Sequence, residues 1–158
     1  VNVMYAIAHD GSISSGGPVP LDTVTDTGPN RCDVSETLEH RPEAVAAARR
    51  ITRDALGAWQ VDSGTAEGVV LVVSELVTNS VEHAEPPLEL HLRREGADAV
   101  KVAVSDGGAS EADGEWTASC EEDEHGRGLI IVDSLADAHG EDHHDNGTTT
   151  HWAYLTAH

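Results

Sequence analysis

Glu75, Asn79 and His83 stand four residues apart, so on an α-helix they place a carboxylate, a carboxamide and an imidazole along one face. A carboxylate can take a proton from a nucleophile, while a carboxamide oxygen one turn away can hold a hard cation. A solvated helix face can carry the same residue types, so the stripe gains meaning only from residues further along the chain. Downstream, Asp106-Gly107-Gly108 puts a carboxylate and two glycines at the end of an alternating apolar run; read locally this is a turn. Gly126-Arg127-Gly128 precedes Leu129-Ile130-Ile131-Val132, and glycines at a helix entrance expose backbone N–H groups to a phosphate at the positive helix end. Gly147-Thr148-Thr149 leads a β-branched run. His139, His143, His144 and His151 offer a competing zinc site, but no cysteine supports them and His143-His144 falls in a polar stretch.

These groups need a scaffold, and its elements are readable from periodicity. Val69, Val73, Leu76, Val77, Ser80, Val81 and Ala84 form an apolar stripe that predicts a helix over 65–83, capped by Asp62 or Ser63 and broken by Pro86-Pro87. An earlier helix opens at Arg41-Pro42 and buries Val45, Ala48, Ile51, Ala55, Leu56 and Trp59. Arg49, Arg50 and Arg53 lie off that stripe, either as a solvated face or as a docking surface for an acidic partner. Strands are predicted over 32–38, over 88–93, over 100–104 and over 148–155, with Leu88, Leu90 and Leu92 alternating against Glu89, His91 and Arg93. The turn Gly96-Ala97-Asp98 makes the middle two a hairpin. Residues 109–125 read as an acidic loop, 129–136 as a helix and 140–147 as a polar turn. Sequential hairpin strands with helices grouped apart predict an α+β fold, a two-layer sandwich.

With 158 residues the chain supports one core. Residues 1–30, rich in Gly and Pro, read as a flexible or loosely attached arm with a short strand at 3–8; residues 31–158 read as the domain. A formal charge of −20, with only nine Lys and Arg, argues against nucleic acid as a partner. Two isolated cysteines, Cys32 and Cys120, fit a reduced compartment, and the absence of a long apolar run or signal-peptide pattern predicts a cytoplasmic protein without a membrane span. The scarcity of Lys beside abundant Arg, Ala, Asp and Val suggests a bacterial, GC-rich genome.

In order along the chain, Glu75/Asn79, Asp106-x-Gly108, Gly126-Arg127-Gly128 and Gly147-Thr148-Thr149 resemble the histidine-kinase-like ATPase superfamily, also called GHKL. Ser74-Glu75-Leu76-Val77-Thr78-Asn79-Ser80-Val81-Glu82-His83-Ala84 and Gly126-Arg127-Gly128-Leu129 look most like its anti-sigma-factor serine kinase branch. The resemblance covers about residues 32–156. It implies the Bergerat ATP-binding fold, with a mixed, mostly antiparallel sheet and helices on one face. It also implies ATP and Mg²⁺ as cofactors, with Asn79 holding the metal against the triphosphate and Glu75 acting as base toward a serine hydroxyl. Asp106 would accept from the adenine amino group, Gly108 would let the base approach the backbone, and Thr149 would sit near the adenine. Gly126 and Gly128 would bring amides to the phosphates with Arg127 beside them, under a lid over 109–125. Its implied partners are a sigma factor, an anti-sigma antagonist that is phosphorylated, or both, and a second copy in a homodimer. The family pattern DxGxG ends here in Ser110, and the lid is crowded with acid; both features motivate the alternative of a non-catalytic regulator of the same fold that acts by protein contact alone.

Overall fold

The computed structural model of the chain describes residues 32–110 and 121–157 and, within 121–127, the backbone alone. The expected N-terminal arm, and residues 111–120 of the expected lid, lie outside the described residues. The elements in chain order are β1 (Asp33–Leu38), α1 (Ala44–Ala58), α2 (Ser63–His83), β2 (Leu88–Glu95), β3 (Ala99–Asp106), α3 (Glu121–Leu135), β4 (Ala138–His143) and β5 (Thr149–Thr156).

Helix α2 forms where the apolar stripe predicts it, and Asp62 caps it by accepting from the Thr65 amide at 2.9 Å. Its buried residues include Val69, Val72, Val73, Leu76 and Val77. These meet Leu90, Leu92, Val100, Val102, Val104, Ala153 and Leu155 from the sheet and Leu56 from α1 in one core. With no Phe in the chain, this core is aliphatic apart from Trp59, and each fully buried Val or Leu contributes about 1.5–3 kcal/mol relative to exposure. Pro42 lies in the turn before α1, not in its first turn, because the helix proper begins at Ala44.

The sheet has five strands in the order β1-β2-β3-β5-β4, and three helices complete the α+β sandwich. Every pairing among the described residues is antiparallel. No parallel pair arises because β4, which follows the α3 crossover, goes to the outer edge and leaves the place beside β3 to β5. Strand β4 corrects the first half of the expected polar turn over 140–147, and the turn itself is confined to 144–147. The strand's sequence, Ala-His-Gly-Glu-Asp-His, has no apolar alternation and its residues are mostly exposed, so pairing with β5 makes it a strand where side-chain pattern does not. The indole of Trp152 lies over Gly140, where a Cβ would stand 2.7 Å from the ring.

Helix α3 begins at Glu121, which corrects both the loop expected up to 125 and the entrance expected at Gly126-Arg127-Gly128. The helix runs through both glycines. An interior glycine costs about 1 kcal/mol relative to Ala, so a packing reason is needed, and Gly128 supplies one. It rests against α2, where an added Cβ would lie 2.9 Å from Glu75 Oε2. No helix among the described residues is long and apolar enough to cross a membrane.

Candidate functional site

The register of β3 against β5 makes Asp106 and Thr149 direct partners. Both are buried, and both point to the helix side of the sheet, since the alternation that buries Val102 and Val104 continues to Asp106. Beyond Asp106 the chain is stitched to the end of α2. The Gly107 amide donates to Glu85 O, the Glu85 amide to Gly108 O and the Ser110 amide to His83 O, at 2.7, 2.8 and 2.9 Å. Gly108 has φ of +91°, and an added Cβ would stand 2.4 Å from Gly147 O, so the loops after β3 and before β5 touch backbone to backbone.

Between α2, α3 and this end of the sheet lies a cavity of about 440 Å³. Asn79 and His83 line it from α2, Asp106 and Gly108 from the end of β3, Leu129 from α3, and Thr149 and His151 from β5. Of the residues expected at a site, Asn79, Asp106, Gly108 and Thr149 therefore come together in one place. Glu75 does not line this cavity. It sits one turn before Asn79, half-buried, against Gly128 of α3. Gly126 and Gly128 lie inside α3, so the helix-end amides expected for phosphate are not at its N-terminus; the Arg127 side chain lies outside the described residues.

Asp106 is 1% exposed and holds three donors. Ser80 Oγ donates to Oδ2 at 2.7 Å, His151 Nε2 to Oδ2 at 3.1 Å, and the Gly108 amide to Oδ1 at 2.9 Å. Burial pushes this carboxyl up, but the hydrogen bonds from His151, Ser80 and Gly108, with the charge of His151, outweigh it and hold the group below its ordinary value of 3.8. Burial likewise pushes His151 down, and the hydrogen bond and charge of Asp106, with the charge of Glu141, leave it above its ordinary 6.5. The Thr149 hydroxyl meets His143 Nδ1 at 3.1 Å.

His151 and Ser80 are partners that the motifs did not bring out. The available signal was alternation in β5, which places His151 on the same face as buried Ala153 and Leu155. The alternative zinc site is not assembled: among the described residues no group of three or more His, Cys, Asp or Glu side chains is arranged to hold a metal ion. Its four histidines pair with other side chains instead, His139 with Asp133, His143 with Glu141 and Thr149, His144 with Thr150, and His151 with Asp106 and Glu141.

Comparison with curated proteins finds no match. Among solved structures, the chain is similar to the crystal structure of the RsbU and RsbW domains of Rv1364c from Mycobacterium tuberculosis, with a TM-score of 0.61 and 22% identity. That alignment covers 78% of this chain but 32% of that one, and it shows a shared fold. The family described as the histidine kinase-like ATPase domain matches residues 38–153. That span holds most of the sequence, all of β2, β3 and β4, most of β5 but only the last residue of β1, and the whole cavity, and the chain belongs to the histidine kinase-like ATPase domain family.

Proposed function

We propose that the chain binds ATP with Mg²⁺ in the cavity between α2, α3 and β5, and transfers the γ-phosphoryl group to a serine of a protein antagonist while also binding a sigma factor. The observation that carries the nucleotide part is the pairing of Asp106 with Thr149 across β3 and β5, with Asn79 lining the same cavity. The donor set fits. Asp106 is ionised and keeps acceptor capacity for an exocyclic amine, Thr149 supplies a hydroxyl, and the Asn79 carboxamide suits a hard cation. Bound Mg-ATP supplies the phosphoryl group and the charge neutralisation that its transfer needs.

The chain's own residues do the rest. Asp106, Gly108 and Thr149 orient the base. Asn79 holds the metal, and Glu75, one turn away, takes the proton of the serine hydroxyl. Gly128 lets α3 approach Glu75 and so sets where that carboxylate stands, a role that replaces helix-entrance amides. The partner classes rest on the resemblance of 74–84 and 126–129 to anti-sigma-factor serine kinases, as does the homodimer. A groove of about 530 Å³ between α1 and α2, lined by Arg49, Arg53, Leu56 and Leu71, supports contact with an acidic, partly apolar protein surface in a chain whose formal charge is −20. Ser110, in place of the last glycine of DxGxG, favours the second reading, a regulator acting by contact alone.

Titration calorimetry of ATP, with and without Mg²⁺, on the wild type and Asn79→Ala tests the site. Micromolar binding that needs both Mg²⁺ and Asn79 is expected, and no binding at millimolar ATP would refute it. Transfer of labelled phosphate to an antagonist should vanish in Glu75→Ala with ATP affinity kept within a few-fold. Binding without transfer in the presence of a true partner selects the contact-only regulator.

A further inference from the structure

Asp106 has its hydrogen bonds unevenly distributed. A carboxylate offers about four lone-pair positions, two on each oxygen. Ser80 and His151 occupy both on Oδ2, while the Gly108 amide occupies one on Oδ1. A single acceptor position is therefore left, and it belongs to Oδ1.

His151 stands on the core-facing side of β5, in line with Ala153 and Leu155, where an apolar residue would pack without a desolvation penalty. Two carboxylates compensate it. Nε2 lies 3.1 Å from Asp106 Oδ2 on one neighbouring strand, and Nδ1 lies 3.7 Å from Glu141 Oε2 on the other. The charged groups facing the ring are thus Asp106 from β3 and Glu141 from β4, and α2 brings the neutral Ser80 to the same carboxylate. Because Asp106 Oδ2 only accepts, Nε2 must carry a proton, and that proton fixes which oxygen is consumed.

We propose that His151 is a positioning residue for base recognition. By saturating Oδ2 and neutralising the buried carboxylate, it leaves one directed acceptor on Oδ1, and the site thereby takes a purine with an amino group at position 6 over one with an oxo group there. A 6-oxopurine would set an acceptor against that acceptor, leaving both without a donor. Without His151, Oδ2 regains a vacant position, the carboxylate is held by Ser80 and the Gly108 amide alone, and the preference fades. This role rests on the proposed binding of a nucleotide in the cavity.

The test is the ratio of ATP to inosine triphosphate affinity, measured by calorimetry on the full chain. The two ligands share ribose and triphosphate and differ at the base. The wild type should prefer ATP by at least about tenfold, the worth of one hydrogen bond to a charged group. In His151→Leu, ATP affinity should fall about tenfold with inosine triphosphate affinity unchanged, so the ratio collapses. A merely structural loss would weaken both ligands together. His151→Gln, whose amide can still donate to Oδ2, should restore the ratio to within about threefold of wild type. Should His151→Leu fail to fold, His151→Asn, with an amide too short to reach, takes its place in the same comparison. An unchanged ratio in either folded variant overturns the role of His151 alone. A wild type that binds neither triphosphate overturns the nucleotide reading and this inference with it.

Discussion

At one end of the cavity, Asp106 is almost fully buried and already holds three donors; at the other, Asn79 and, one turn away outside the cavity lining, Glu75 are half-buried and make no side-chain hydrogen bond or ion pair among the described residues. The first arrangement is set by backbone register and by a loop tied to the end of α2, so its geometry exists before any ligand arrives. The second consists of side chains on a rigid helix whose ends remain able to move. Recognition of a neutral base gains from preorganised partners, because few hydrogen bonds must supply all the discrimination. A metal–triphosphate unit carries its own charge and coordination demands, so uncommitted oxygen ligands on a fixed helix serve it well.

The difference is most severely tested at Asp106. Asp106→Asn replaces one acceptor oxygen with a donor facing Ser80, His151 or Gly108, and hydrogen bonds to a charged group are worth about 1.5–3 kcal/mol each. ATP affinity should fall by about two orders of magnitude or more, and the melting temperature should fall with it. Calorimetry and a thermal melt on the same sample decide this; unchanged affinity would erase the contrast between the two ends.

Gly108→Ala attacks the same end through the backbone. The new methyl would meet Gly147 O at 2.4 Å at φ of +91°, and neither backbone can turn aside as a side chain could. A loss of about 1–3 kcal/mol in urea denaturation is expected, with weakened ATP binding. A fully stable variant would mean that the contact between the loops after β3 and before β5 relaxes freely.

Much of this arrangement was legible in the sequence. A cap for α2 at Asp62 or Ser63 and the hairpin of strands over 88–93 and over 100–104 follow from turn chemistry and periodicity, and the meeting of Asn79, Asp106, Gly108 and Thr149 is what the resemblance of the ordered motifs implies. What stayed hidden has physical causes. Strand β4 has no apolar alternation to read, since an edge strand held by backbone pairing needs little. The glycines at 126 and 128 look like a helix entrance because helix interiors rarely spend glycine, and the reason for Gly128, contact with Glu75, is tertiary. His151 was visible as a residue but not as a partner of Asp106, because the two are far apart in sequence and only strand register joins them.

At the Glu75 end, Gly128→Ala should act quite differently from Gly108→Ala. The methyl would meet Glu75 Oε2 at 2.9 Å, which is the tip of a flexible side chain, and alanine returns about 1 kcal/mol of helix propensity. Stability should therefore hold within about 1 kcal/mol and ATP affinity should be kept. Phosphoryl transfer to an antagonist should drop several-fold as the carboxylate is displaced. A large loss of ATP affinity instead would show that this end is as rigid as the other.

The smallest expected effect is in the pH dependence of stability, and its sign follows from the two shifts. Asp106 is held below 3.8 in the fold, so its contribution is present above that value and is lost as pH falls through the lowered one. His151 is held above 6.5, so its contribution is complete below 6.5 and is lost as pH rises through the raised value. The pair therefore stabilises most between about pH 4 and 6.5 and fades on both sides. Titration of the many surface carboxylates overlaps the acid limb in a chain of this charge, so the alkaline limb is the informative one. The melting temperature of the wild type should decline by a few degrees relative to His151→Gln as pH rises past 6.5, since glutamine keeps a donor but has no charge to lose. Parallel curves for the two proteins would mean that His151 holds Asp106 through its N–H alone, and that the positive charge contributes nothing to the preorganised end.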